Sequence, residues 1–129
     1  MAFTKTARTI RSSTSNGAGS TTRATIDLRT VQGGGILTMK ITNGGTGPTV
    51  QCEGRVLIAH NDGATPSAAS AGSDWKTIAS FGGGTANSEV TEFAMIVDPS
   101  VMHLEVEFTG NTGQAVTVEA YMSELSTLS

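Results

Sequence analysis

Between residues 102 and 122 the chain alternates with a period of two. Met102, Leu104, Val106 and Phe108 are apolar, with polar His103, Glu105, Glu107 and Thr109 between or beside them. After Gly110-Asn111-Thr112-Gly113 the rhythm resumes at Val116, Val118, Ala120 and Met122. A β-strand places successive side chains on opposite faces, so the stretch reads as two half-buried strands, and the short turn between them predicts an antiparallel hairpin. Glu105, Glu107 and Glu119 then belong to a wet face, where carboxylates are readily solvated.

The same rhythm recurs upstream. Ala24, Ile26 and Leu28 mark a strand over about 23–30, and Leu37, Met39 and Ile41 a second; with Gly33-Gly34-Gly35 between them, the two are expected to pair. Val50, Cys52, Gly54, Val56 and Ile58 mark a third, in which a mid-strand glycine signals a bulge or a close approach. Leu57 interrupts its polar side, implying cover on both faces at that end. Residues 75–81 and 89–97 supply two further strands, the former with Trp75, Thr77, Ala79 and Phe81 assigned to one face. No segment carries a helical period. Sixteen glycines and a charged fraction of only 15% fit short strands punctuated by turns. The expected fold is all-β: an antiparallel two-sheet β-sandwich or jelly roll of about 7–8 strands.

Residues 1–22 read differently. They are rich in Ser, Thr, Gly and Ala, with too little apolar surface to offset the entropy of ordering. Residues 1–23 carry Lys5, Arg8, Arg11 and Arg23 and no acid, a net +4, whereas 24–129 carry four bases and eleven acids, a net −7. The reading is a flexible, extended basic arm over 1–22 ahead of a sandwich domain over 23–129, which should fold without residues 1–20. Lys5, Arg8 and Arg11 are the candidate partner-binding residues, because a basic segment is steered onto acidic neighbours.

Chemistry is sparse. Cys52 is the single cysteine and lies in phase with the apolar face, which assigns it to packing. Neither glycine triplet is followed by a Lys-Ser/Thr pair or a helical pattern, so both read as turns rather than phosphate loops. His103 and Glu105 share a strand face, but a metal would want a third ligand. His60-Asn61-Asp62 with Asp74 suggests a polar cluster at one end of the sandwich. No nucleophile, base and orienting acid fall into a recognisable spacing, and a carboxylate pair along one strand does not flank a substrate. The reading is a non-enzyme without cofactor or metal. An acidic body with few aromatics speaks against specific nucleic-acid binding. No stretch approaches the ~20 apolar residues of a membrane span, and the expected site of synthesis is a cytoplasm. Trp75 and Tyr121 are the candidate surface-recognition aromatics.

A small, Gly/Thr/Ser-rich, cysteine-poor β chain with a basic N-terminus, from the Met1-Ala2-Phe3-Thr4-Lys5 start to the closing Tyr121-Met122-Ser123-Glu124-Leu125, resembles the virion structural proteins of tailed bacteriophages, in particular capsid decoration or cement proteins. The resemblance lies in overall plan and carries over no functional residue. It implies a homo-oligomer, dimer or trimer, on the virion's capsid surface, bound to the lattice of the major coat protein and stabilising the particle. The alternative is a phage tail module that binds a receptor or polysaccharide, in which an exposed aromatic such as Tyr121 would matter.

Overall fold

A computed structural model describes residues 3–30, 34–63, 65–67 and 74–128. Among the described residues there are eight strands: β1 (Phe3–Asn16), β2 (Thr22–Asp27), β3 (Gly35–Asn43), β4 (Glu53–Ala59), β5 (Lys76–Gly82), β6 (Val90–Val97), β7 (His103–Thr109) and β8 (Val116–Leu128). They form two four-stranded sheets, one in the order β1-β8-β3-β6 and the other β2-β7-β4-β5, with every pairing antiparallel. This is a β-sandwich with the strand order of a jelly roll. Only β4 and β5 are neighbours both in sequence and in a sheet; every other connection crosses the sandwich.

That crossing overturns two expected pairings. β7 bonds to β2 and β4, and β8 to β1 and β3, so the Gly110–Gly113 turn carries the chain from one sheet to the other instead of closing a hairpin. β2 and β3 are separated in the same way. Alternation states which side chains are buried, and both arrangements bury the same set. Leu37, Met39 and Ile41 of β3, Leu104, Val106 and Phe108 of β7, and Val116, Val118, Ala120 and Met122 of β8 all meet in one core with Val56 and Cys52. Burial pushes the Cys52 thiol up to about 11, which keeps it protonated and inert. Of the two glycine triplets, Gly34 and Gly84 take positive φ, Gly35 opens β3 and Gly82 ends β5, and Gly33 lies outside the described residues.

The N-terminal stretch is also corrected. Residues 3–16 are extended, but they lie in the sheet as β1, paired with β8 from Phe3↔Leu128 to Asn16↔Val116 with three register shifts. Backbone hydrogen bonds to β8 hold what the side chains alone could not. Ile10 packs on the core, and the far end is fixed by two buried amides: Asn16 Nδ2 donates to Asn111 Oδ1 (2.6 Å), and Asn111 Nδ2 donates to the Asn16 carbonyl (3.1 Å). β8 continues to Leu128 as the strand that receives it.

Candidate interaction surface

The register fixes what each outer face presents, because directly opposite residues in antiparallel strands point the same way. On the sheet containing β3, four rows run across the strands. Val90, Thr42 and Thr117 form one; Glu92, Lys40 and Glu119 the next; Ala94, Thr38, Tyr121 and Thr9 the third; and Ile96, Ile36, Ser123 and Ala7 the last. The face therefore grades from a charged band to an apolar corner. Lys40 Nζ stands 3.6 Å from Glu119 Oε1 within the band. Ile96 is 79% exposed and Ile36 54%, and they are directly paired. Beyond them opens a groove of about 450 Å³ lined by Lys5, Ile36, Ile96, Pro99 and Leu125.

Tyr121 stands on this face, 39% exposed, above a second shallow groove of about 410 Å³ between Thr38, Lys40, Glu92 and Glu119. Its hydroxyl donates to Glu119 Oε2 (3.0 Å), and that bond to a carboxylate holds the phenol above its ordinary pKa. The ring is accessible, with its polar end engaged.

The candidate arm residues are brought into the fold. Arg8 Nη2 donates to Glu124 Oε1 at 2.9 Å, and Glu124 is buried. Arg11 is half-buried, and its Nε finds no hydrogen-bond partner. Lys5 is exposed at the mouth of the apolar groove. The three residues share a strand without converging on a site.

The outer face of the other sheet differs from its expected wet character. His103, Glu105 and Glu107 are all buried, because β7 lies between β2 and β4, whose longer side chains close over it. Glu107 accepts from Arg23 Nε (2.9 Å) and Arg55 Nη1 (3.3 Å). Glu105 has only a 3.5 Å bond from the Thr25 hydroxyl to Oε1; its Oε2 is buried without a partner, and desolvation raises its pKa. The His103 Nε2 hydrogen-bonds the Asn61 carbonyl at 2.9 Å, and its Nδ1 lies 4.0 Å from Asp27, whose carboxyl is held far below its usual range by Arg29. Among the described residues no group of three or more His, Cys, Asp or Glu could hold a metal ion.

Trp75 does not serve as an exposed aromatic. It is 8% exposed, clusters with Leu57 and Ala59 on that outer face, and donates from Nε1 to the Ser67 carbonyl at 2.6 Å. This is the two-sided cover that Leu57 foreshadows. A register shift between Val56 and Leu57 splits the expected face of β5: Ala79 lies opposite the inward Val56, whereas Thr77 lies opposite the outward Leu57. Asn61 and Asp74 do meet, through Nδ2 and Oδ2 at 3.4 Å. Asp74 also accepts the Ser67 amide and hydroxyl, which lower its pKa, and His60 stays exposed outside this knot. A cleft of about 270 Å³ remains between Thr25, Asp27, Pro66, Trp75 and His103.

No protein-family model matches the chain, and no curated protein matches it in sequence. Among solved structures it is similar to the K3 cleaved adhesin domain of Lys-gingipain from Porphyromonas gingivalis, with a TM-score of 0.56 and 12% identity over 85% of this chain and 72% of that one. It also superposes on a family 16 carbohydrate-binding module (TM-score 0.47, 7% identity, 82% and 70% covered) and on the SPBc2 prophage-derived protein YomS (0.43, 15%, 96% and 96%). At these identities the likeness to the adhesin domain is one of fold, and what is shared is the two-sheet β-sandwich.

Proposed function

We propose that the chain is a non-enzymatic virion structural protein of the capsid decoration or cement class, docking on coat subunits through the outer face of the β1-β8-β3-β6 sheet and stabilising the particle. The observation that carries the docking surface is the apolar corner: Ile36 and Ile96 stand paired in water beside an apolar groove, whereas the opposite sheet covers its own outer face with Trp75, Arg23 and Arg55. A contiguous exposed apolar patch rimmed by charge marks a protein contact. The band of Glu92, Lys40 and Glu119 supplies a rim that orients the partner. The virion assignment comes from the resemblance of the chain's plan to decoration proteins, and the jelly roll is compatible with it. Co-sedimentation with phage particles lacking the protein tests the reading: the native chain should bind in high copy, and Ile36→Glu should lose most of its occupancy. Equal occupancy by the variant, or none by the native chain, would overturn it.

The exposed Tyr121 ring over the Thr38–Lys40–Glu119 groove favours one second reading, a polysaccharide- or receptor-binding tail module. Stacking on a sugar would make Tyr121→Ala abolish retention on host-surface polysaccharide while leaving particle binding unchanged.

A further inference from the structure

The sandwich has four edge strands, and three of them are protected against further pairing. β1 has three register shifts and carries Lys5, Arg8 and Arg11. β5 starts at Lys76 and carries a register shift against β4. β2 is six residues long and bears Arg23 and Asp27. Irregular pairing, shortness and charge are the usual means of blunting an edge. β6 is the least protected of the four. It pairs with β3 from Gly35↔Val97 to Thr42↔Val90 without a register shift, contains neither glycine nor proline, and has Glu92 as its one charge.

The direction of its free backbone groups follows from one bond. The Asn43 amide donates to the Glu89 carbonyl at 2.8 Å, in the register that continues through β3 and β6. Antiparallel bonds recur at every second residue, so Thr91, Phe93, Met95 and Val97 bond to β3, and the N–H and C=O groups of Val90, Glu92, Ala94 and Ile96 point away from it. Among the described residues nothing bonds these outward groups.

We propose that two copies of the chain join edge to edge through β6, about a two-fold axis at Phe93, into one continuous eight-stranded sheet. This register is self-complementary, as a two-fold contact requires. Val90 of one copy lies opposite Ile96 of the second on the outer face, Glu92 lies opposite Ala94, and Thr91 lies opposite Met95. The outward groups of the two edges then exchange both bonds at each even-numbered pair. No like charges oppose one another. A shift to an axis at Ala94 would set each Glu92 against Ile96 and lose the Val90–Ile96 contact. The joined sheets present their two apolar corners on the same side, so the dimer would dock bivalently on a lattice. The pairing itself does not depend on the proposed virion role.

Sedimentation equilibrium of the full chain should give a dimer. Ala94→Pro removes an N–H that β3 does not use, and Ile96→Lys places a charge at the joint; each should give a monomer whose far-ultraviolet circular dichroism matches the native chain. Ile78→Lys, on the β5 edge, should remain dimeric. Mixing Glu92→Cys with Ala94→Cys chains should give an intermolecular disulfide across the joint, with Cys52 buried and silent. A monomeric native chain overturns the proposal, as does a dimer insensitive to both Ala94→Pro and Ile96→Lys. Should Ala94→Cys chains cross-link with themselves in preference to the mixture, the axis at Phe93 is wrong. Failure of particle binding with the dimer intact would count against the docking role alone.

Discussion

Gly54 lies beneath the ring of Phe81, its partner across β4 and β5, so closely that a methyl group on its Cα would collide with the ring edge. The ring in turn stacks on Phe93 of β6, with centroids 5.0 Å apart and planes 2° from parallel. β5 and β6 belong to different sheets, so this stack closes one side of the sandwich, and the missing side chain at Gly54 lets Phe81 lie flat. Gly54→Ala should destabilise the fold by about 1–3 kcal/mol through overpacking. Gly45→Ala, with nothing within 4 Å of the added methyl, should change stability by less than about 0.5 kcal/mol. Urea unfolding of the two variants checks the contrast, and equal midpoints would refute the close approach.

Phe108 and Glu107 are adjacent in β7 and both buried, one in the apolar core and one beneath two guanidinium groups. Phe108→Ala should cost about 3–5 kcal/mol. Glu107→Ala, neutral if the residue were solvated, should cost about 1–2 kcal/mol, because it removes two charge-assisted bonds while Arg23 and Arg55 retain access to water. A cost below about 0.3 kcal/mol for Glu107→Ala would show that the guanidinium cover adds nothing.

These two residues also show where sequence reading stops. Alternation identifies Leu104, Val106 and Phe108 as inward, and they are. It cannot identify the partners of β7, because pairing with β8 or with β2 and β4 satisfies the same inward set. With central placement unseen, the burial of Glu105 and Glu107 under side chains from β2 and β4 is unseen as well. β1 reads only as an extended arm, for the opposite reason: an edge strand held by β8 needs little apolar alternation, and among its described side chains Ile10 is the apolar one that packs on the core. Trp75 was legible as a large aromatic beside a loop, but its indole partner, the Ser67 carbonyl, is set by how that loop folds back. Gly54 and Leu57, each an exception to its local pattern, were the most informative single residues. Tyr121 keeps the exposure its phase implies.

Glu105 gives the fold a pH dependence of defined sign. Desolvation raises its folded pKa above the unfolded value, so between those two values the folded state holds more protons and stability falls as pH rises. The destabilisation is absent below the ordinary glutamate range and complete above the raised pKa. Glu105→Gln should therefore be more stable than the native chain at neutral pH, because the amide has no charge to desolvate at this buried position. The advantage should shrink as pH falls into the ordinary carboxylate range. Denaturant midpoints of both chains across that range provide the measurement, and a constant difference would show that Glu105 does not titrate in the fold.

Arg8 and Glu124 decide whether residues 1–20 are dispensable. A body beginning at Ala24 would be complete if the first strand were only a tail. In the structure its removal would uncover the β8 edge, leave Glu124 buried without Arg8, and strip Asn111 of the amide and carbonyl of Asn16. A chain starting at residue 21 should therefore lose cooperative unfolding or aggregate. Point variants separate the contributions without removing the strand. Arg8→Ala should cost about 1–3 kcal/mol, less than a fully buried pair because the guanidinium is one-third exposed. Adding Glu124→Gln should recover part of that loss, since it neutralises the carboxylate left without its partner. Asn111→Ala should cost a similar ~1–3 kcal/mol for each buried group left unpaired at Asn16. If the truncated chain unfolds with the native midpoint and the same denaturant slope, β1 contributes nothing to the domain. The extended stretch would then be free to leave β8, and Lys5, Arg8 and Arg11 would be available to a neighbouring subunit.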